Sequence, residues 1–259
     1  MSERTIEGKI RDRLQELCMV GMRDSFEEQT KVAKKESLEY SEYLLGLLER
    51  ECEARLDKRV RRNMKRSRLP LEKQISNFDM GRLPIPLRQQ ANALKSGDFI
   101  RRKENLLVFG NPGSGKTHLV CGLAQDLINQ GYRVLFTTCA KLVQELLAAK
   151  KALSLPGMLT KLGKNDAIII DDIGYVQQDR HEMEVLFTLL ADRYERGSLM
   201  ITSNLPFSKW ESIFKDSMVA AAAIDRLVHH SVILEMNLKS YRMDNARAKL
   251  AKKGGKKTK

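Results

Sequence analysis

Apolar positions recur at helical spacing through the first quarter of the chain. Ile10, Leu14 and Leu17, then Tyr40, Tyr43, Leu44, Leu47 and Leu48, follow one another at three- and four-residue intervals, and residues 1–68 contain no proline. This pattern predicts an all-helical N-terminal domain over 1–68. Within it Leu48, Cys52, Leu56, Val60 and Met64 recur every fourth residue without interruption up to Pro70, which predicts one long helix with a narrow apolar stripe. Pro70, Pro84 and Pro86 mark residues 69–97 as a linker. Beyond it the texture changes. Short apolar, β-branched runs at Leu106–Phe109, Val134–Thr138, Ala167–Ile170, Leu199–Thr202 and Val232–Leu234 alternate with helical stretches. That alternation predicts an α/β domain over 98–243, a parallel sheet between helices.

Charge sharpens this division. The 259 residues include 46 Lys and Arg against 33 Asp and Glu, a net +13. Two segments hold more than the whole excess. Residues 55–68 carry eight basic side chains and one acid, and residues 239–259 carry nine and one. The rest of the chain is close to neutral. On the predicted helix Arg55, Arg59, Arg62 and Arg66 form one ridge and Lys58, Arg61, Lys65 and Arg68 another. Like charges at this density repel, whereas a merely solvated helix face usually interleaves signs. The ridges therefore suit a polyanion such as DNA, with a solvated face as the competing reading. Residues 244–259, ending in KLAKKGGKKTK, read as a basic, frayed tail.

Other classes fall away. No apolar run approaches membrane-spanning length, and the charged start MSERTIEGKIRDR is unlike a secretory signal, so a cytoplasmic protein is expected. Cys18, Cys52, Cys121 and Cys139 show no metal or disulfide spacing and are expected as reduced core thiols. The four histidines, His118, His181, His229 and His230, have no metal-binding spacing either.

The strongest chemical signal is Gly110-Asn111-Pro112-Gly113-Ser114-Gly115-Lys116-Thr117, directly after the apolar run LLVF. It matches G-x-x-x-x-G-K-[ST]. The glycines let the backbone curl so that successive N–H groups point at phosphate, and a following helix adds its N-terminal dipole. Lys116 would bridge the β- and γ-phosphates of ATP or GTP, and the Thr117 hydroxyl would coordinate Mg²⁺. Leu119, Val120, Leu123, Ala124, Leu127 and Ile128 share one face of that helix, which Gly131 can end.

A second acidic element follows the apolar run at Ala167–Ile170. Asp171 would stand at the strand's C-terminal edge and hold the Mg²⁺ water shell, and Asp172 could orient or deprotonate the attacking water. Asp172 is one methylene shorter than the glutamate many such ATPases use, which slows or complicates water activation. Asn204 after the next strand suits a hydrogen bond to the γ-phosphate or the attacking water, and equally suits a turn. Arg226 and Arg242 carry planar donors suited to phosphate, and on chemistry alone either also fits a surface ion pair. No LSGGQ-like segment and no N-K-x-D guanine motif is present.

GNPGSGKTHL, IIIDDIG, DRYERGSLMITSNLPFSKW and AAAIDRLVHHSVILEMNLKSYR together resemble the AAA+ ATPases of the IstB type, the transposition helpers of insertion sequences, which are relatives of the DnaC helicase loader. The resemblance extends to the N-terminal MRDSFEEQ and to LEKQISNFDMGRLP. It implies a P-loop AAA+ fold, Asn204 as the sensor-1 residue, Arg226 as an arginine finger acting on a neighbour's ATP, and Arg242 as the sensor-2 arginine. It also implies that Phe78 and Asp79 in the linker help hold adenine. The implied activity is ATP hydrolysis with Mg²⁺, and the implied partners are duplex DNA, a transposase of the same element and further copies of the chain. Only 17 residues follow Arg242 here, so a full helical lid is not expected. A helicase loader, a nucleotide-gated DNA adaptor with little turnover and a small-molecule kinase are the competing functions.

Overall fold

The structure, a computed structural model, describes residues 5–174, 180–205, 209–210, 224–241 and 243. The chain divides into two compact units, Met1–Arg62 and Asn63–Lys259, and the division falls inside a helix.

The first unit is helical. It contains α1 (Ile6–Glu16), α2 (Val20–Glu36) and most of α3 (Tyr40–Ser67). Thr5 caps α1 by accepting from the Gly8 amide. Met22, Phe26 and Leu47 are buried together, with Leu14, Met19 and Tyr43 packed around them. Gly21 sets how closely α2 approaches α3, because a Cβ there would fall 2.6 Å from the Arg50 carbonyl. The inward line of α3 therefore runs through Leu47, Glu51 and Ala54. This corrects the expected stripe: Leu48, Cys52 and Leu56 are exposed, and Val60 and Met64 half-buried. A period near four residues fits two adjacent lines on a helix, and the close approach of α2 selects the other one. Cys18 and Cys52 are exposed, so only Cys121 and Cys139 are core thiols, with burial pushing the Cys121 thiol up to about 12.

Among the described residues the second unit holds five parallel strands, β1 (Asn105–Gly110), β2 (Val134–Thr138), β3 (Ala167–Ile173), β4 (Ser198–Ser203) and β5 (Ser231–Met236), in the order β2-β3-β4-β1-β5. All five expected runs are strands. They are rich in Ile, Val and Leu, and β1, β3 and β4 are almost wholly buried, as a sheet covered on both faces requires. Between them lie α6 (Lys116–Asn129), α7 (Cys139–Lys151), α8 (Leu155–Gly163) and α9 (Arg180–Arg193). The predicted apolar face of α6 is buried, and Gly131 follows that helix at φ 95°. Residues 69–97 are folded. They contain 3-10 turns at Ile75–Asn77, Met80–Arg82 and Leu94–Ser96, the helix α4 (Ile85–Ala93), and buried Leu69, Leu83, Leu87 and Leu94. The short α5 (Asp98–Arg101) then leads into β1.

Two side chains tie the N-terminal ends of the strands. Asn105 donates to the Leu227 carbonyl at 3.1 Å and accepts from the Leu199 amide at 2.9 Å. Buried Arg193 donates to the carbonyls of Asn165, Asp166 and Ser198. With that end fixed, the C-terminal ends open at the crevice where β1 lies between β4 and β5, the place where ligands bind in open parallel sheets.

Within the helical unit the buried Glu51 carboxylate accepts from the Met22 amide at 3.1 Å and from Arg55 at 2.6 Å. Burial alone pushes Glu51 up, but the Arg55 guanidinium and the Met22 and Gly21 amides outweigh it and hold its pKa below the usual range. A carboxylate lowered in this way stabilises the fold above its unfolded pKa and stops doing so as pH falls through the folded value. Glu51→Gln should therefore reduce amide-exchange protection at the start of α2 about tenfold or more at neutral pH. In the wild type that protection should fall with acidification through the carboxylate range, while in Glu51→Gln it should be nearly flat.

Candidate nucleotide site

The loop from Gly110 to Thr117 joins β1 to α6, and its shape explains its glycines. Gly110, Gly113 and Gly115 have φ of 151°, 79° and 103°, where side chains are strained. Space is equally short. A Cβ on Gly110 would lie 2.2 Å from the Met236 carbonyl oxygen, and one on Gly113 would lie 2.2 Å from Ser240 Oγ. The buried Lys116 ammonium donates to the carbonyls of Gly110 at 2.8 Å and Asn111 at 3.0 Å, holding the curl of the loop. Asn111 and Pro112 are exposed. Ser114 Oγ is buried without a hydrogen-bond partner.

Beside the loop lies a cleft of about 260 Å³. Residues Pro112–His118 form one wall, and Asp172, Asn204, Leu238 and Tyr241 form others. Lys73, Asn77, Phe78, Asp79 and Arg82 line it from the segment expected as a linker. Phe78 meets the His118 ring edge-on at 5.5 Å, and His118 Nε2 donates to the Gln74 carbonyl at 2.8 Å. Arg82 lies over the Tyr241 ring and donates to the Lys239 carbonyl at 2.8 Å, while the Tyr241 amide donates to the Gly113 carbonyl at 2.9 Å. The segment after β5 is thus fastened to the phosphate loop. Arg242, the next residue, lies outside the described residues, as does the tail 244–259.

Two adjacent residues of a regular strand point to opposite faces, so Asp171 and Asp172 cannot both serve one cleft from an unbroken β3. The strand is broken. It continues past the expected end to Ile173, but Ile170 pairs with Ile201 and Ile173 with Ser203, which leaves one extra residue on β3. Asp172 takes up the bulge at φ 59° and is exposed towards the cleft, whereas Asp171 is buried. Asp171 Oδ1 accepts from Thr117 Oγ1 at 2.9 Å and from Thr202 Oγ1 at 2.6 Å. The Asp172 amide donates to Thr202 Oγ1 at 2.9 Å. Ser203 Oγ donates to the Ile173 carbonyl at 2.9 Å, so β4 hydroxyls replace ladder bonds that the bulge removes.

Asn204 follows β4 half-buried at the cleft, and its Oδ1 is buried without a protein partner. The loop, Asp171, Asp172 and Asn204 are therefore together. Arg226 is not with them. It is exposed one residue before Leu227, whose carbonyl meets the start of β1, and a six-residue strand puts that end roughly 17 Å from the loop.

The basic run is less uncompensated than its composition suggests. Arg55 pairs with Glu51, Arg61 with Asp57 at 3.9 Å and Arg68 with Glu145 at 3.3 Å. Lys58, Arg59, Arg62, Lys65 and Arg66 are exposed with no acid partner among the described residues.

Thr202, Lys73, Arg82 and Tyr241 are further residues of the site, beyond those the sequence pattern marks. A signal existed for Thr202, a hydroxyl inside the buried run LMIT that needs a partner. The other three carry no spacing that points to the cleft.

Comparison with known proteins agrees with the geometry. The family described as IstB-like ATP binding protein matches residues 12–249. A protein of Sinorhizobium fredii described as an insertion sequence ATP-binding protein is 40% identical over 215 residues, 83% of this chain and 72% of the relative. One from insertion sequence IS5376 of Geobacillus stearothermophilus is 34% identical over 242 residues, 92% of this chain and 96% of the relative. Among solved structures, the DnaC helicase loader aligns with TM-score 0.55 at 17% identity, over 65% of this chain and 97% of that one. AMPPCP-bound DnaA from Aquifex aeolicus aligns with TM-score 0.54 at 17% identity, over 71% of this chain and 56% of that one. At these identities the two structures speak for the AAA+ fold alone. Loop, acid pair, sheet order and relatives all converge, and the chain belongs to the IstB-like ATP-binding proteins of insertion sequences.

Proposed function

We propose that this protein is an ATP-dependent DNA-binding regulator of transposition, which assembles on duplex DNA with ATP, recruits or stimulates a transposase, and resets by hydrolysis. The observation that carries the nucleotide part is the Thr117–Asp171 hydrogen bond at the mouth of the phosphate loop. With its proton on Asp171, the Thr117 oxygen keeps lone pairs for a cation, and Asp171 Oδ2 remains for that cation's water, so the donor set fits Mg²⁺. Bound there, Mg²⁺ would neutralise charge on the β- and γ-phosphates.

In this reading the loop amides and Lys116 hold the phosphates, Phe78 and Asp79 border the base, and Asp172 and Asn204 hold the attacking water in line. Arg226 lies too far from its own chain's loop to reach that phosphate, which supports its use on the ATP of a second copy. ATP then bridges copies, and assembly on DNA follows nucleotide state. The exposed cations Lys58, Arg59 and Arg62 supply phosphate contacts that position the protein without reading sequence. The relatives' insertion-sequence context supports a transposase as the partner.

A second reading, a nucleotide-gated DNA adaptor with little turnover, is favoured by one observation. Asp172 is short and held in a bulge, so its carboxylate has limited reach towards a water.

DNA binding measured with ATP, with ADP and without nucleotide tests the proposal. Wild type should bind at least about tenfold more tightly with ATP, and Lys116→Ala and Arg226→Ala should lose that gain. Equal, nucleotide-independent binding by all three would refute ATP-gated assembly. Replacing Lys58, Arg59 and Arg62 with Ala should flatten the slope of log K against log salt by roughly 2 to 3, at about 0.9 per lost phosphate contact. An unchanged slope would reduce the run to a solvated helix face.

A further inference from the structure

We infer that Thr202 is a positioning residue for the acid pair, a hydroxyl that fixes Asp171 and Asp172 in their separate roles and links them to the strand that ends at Asn204. The inference rests on the ATP–Mg²⁺ reading of the cleft.

The hydrogen-bond directions leave no choice. The Asp172 amide can only donate, so Thr202 Oγ1 accepts from it at 2.9 Å, and the hydroxyl's single proton goes to Asp171 Oδ1 at 2.6 Å. Thr117 sends its own proton to the same oxygen at 2.9 Å. Oδ1 of Asp171 is thereby occupied by two hydroxyls, and its rotation is fixed with the other oxygen left for metal-bound water. The accepted amide bond holds Asp172 in the left-handed conformation, which is strained for a non-glycine residue. Thr202 is itself fully buried, so no water can substitute for it from bulk solvent. Ser203 bonds the Ile173 carbonyl, and Asn204 follows at once.

The test compares Thr202→Val, of equal shape without the hydroxyl, with Thr202→Ser, which keeps it. Three quantities are read on the full-length protein: metal-free ATP affinity, Mn²⁺ affinity of the ATP complex by electron paramagnetic resonance, and kcat for ATP hydrolysis. Losing a partner that orients a metal-site carboxylate typically costs 10–100-fold, and Thr202→Val should weaken Mn²⁺ binding and lower kcat by about that factor. Metal-free ATP affinity should stay within about threefold of wild type, and Thr202→Ser should behave as wild type in all three. A Thr202→Val protein with wild-type Mn²⁺ affinity and kcat would overturn the inference. So would one whose metal-free ATP affinity falls as far as the rest, because that is general damage to the site. If wild type itself turns over no ATP, the hydrolytic reading fails while the Mn²⁺ comparison still decides Thr202. If Thr202→Val does not fold, Thr202→Cys, a weak donor of similar size, should give intermediate Mn²⁺ affinity and kcat, and wild-type values there would equally overturn the inference.

Discussion

Two neighbouring carboxylates on one buried strand meet different surroundings, and an unbroken strand would turn one of them away from the cleft. The bulge at Asp171 and Asp172 resolves this, and much of the site depends on it. One acid stays inside, joined to the phosphate loop through Thr117, and the other turns out towards the cleft. The bulge removes ladder bonds between β3 and β4, and the hydroxyls of Thr202 and Ser203 restore them. The placement of the acid pair and the integrity of the sheet are thus maintained by the same few bonds.

The other walls follow from similar crowding. The phosphate loop presses against β5 and the segment after it so closely that side chains at Gly110 and Gly113 would collide with Met236 and Ser240. Arg82 and Tyr241 close the same contact from the far side. The cleft is therefore bordered by segments far apart in sequence, the 3-10 turns before β1 and the stretch after β5, both held to the loop.

Much of this was legible in the sequence, for definite reasons. The glycine spacing, Lys116 and Thr117 after LLVF admit few other structures, and the five short apolar runs alternating with helical stretches fit the strands of a parallel sheet. The bulge was not legible, because it is a mismatch between two strands and local periodicity describes one strand at a time. The buried line on α3 lies one position from the expected stripe, since Leu47 and Leu48 both satisfy a helical period and the close approach of Gly21 separates them. The basic run looked uncompensated because one of its partners, Glu145, lies 77 residues from Arg68.

Arg226 is exposed near the end of the sheet away from the loop. Under the proposed function a second copy supplies that cation. Subunit mixing measures this directly. Lys116→Ala subunits retain Arg226 and Arg226→Ala subunits retain the loop, so an equal mixture on DNA should regain ATP hydrolysis that neither has alone, up to about a quarter of the wild-type rate if neighbours associate at random. A mixture no more active than the sum of its two components would contradict a site shared between copies.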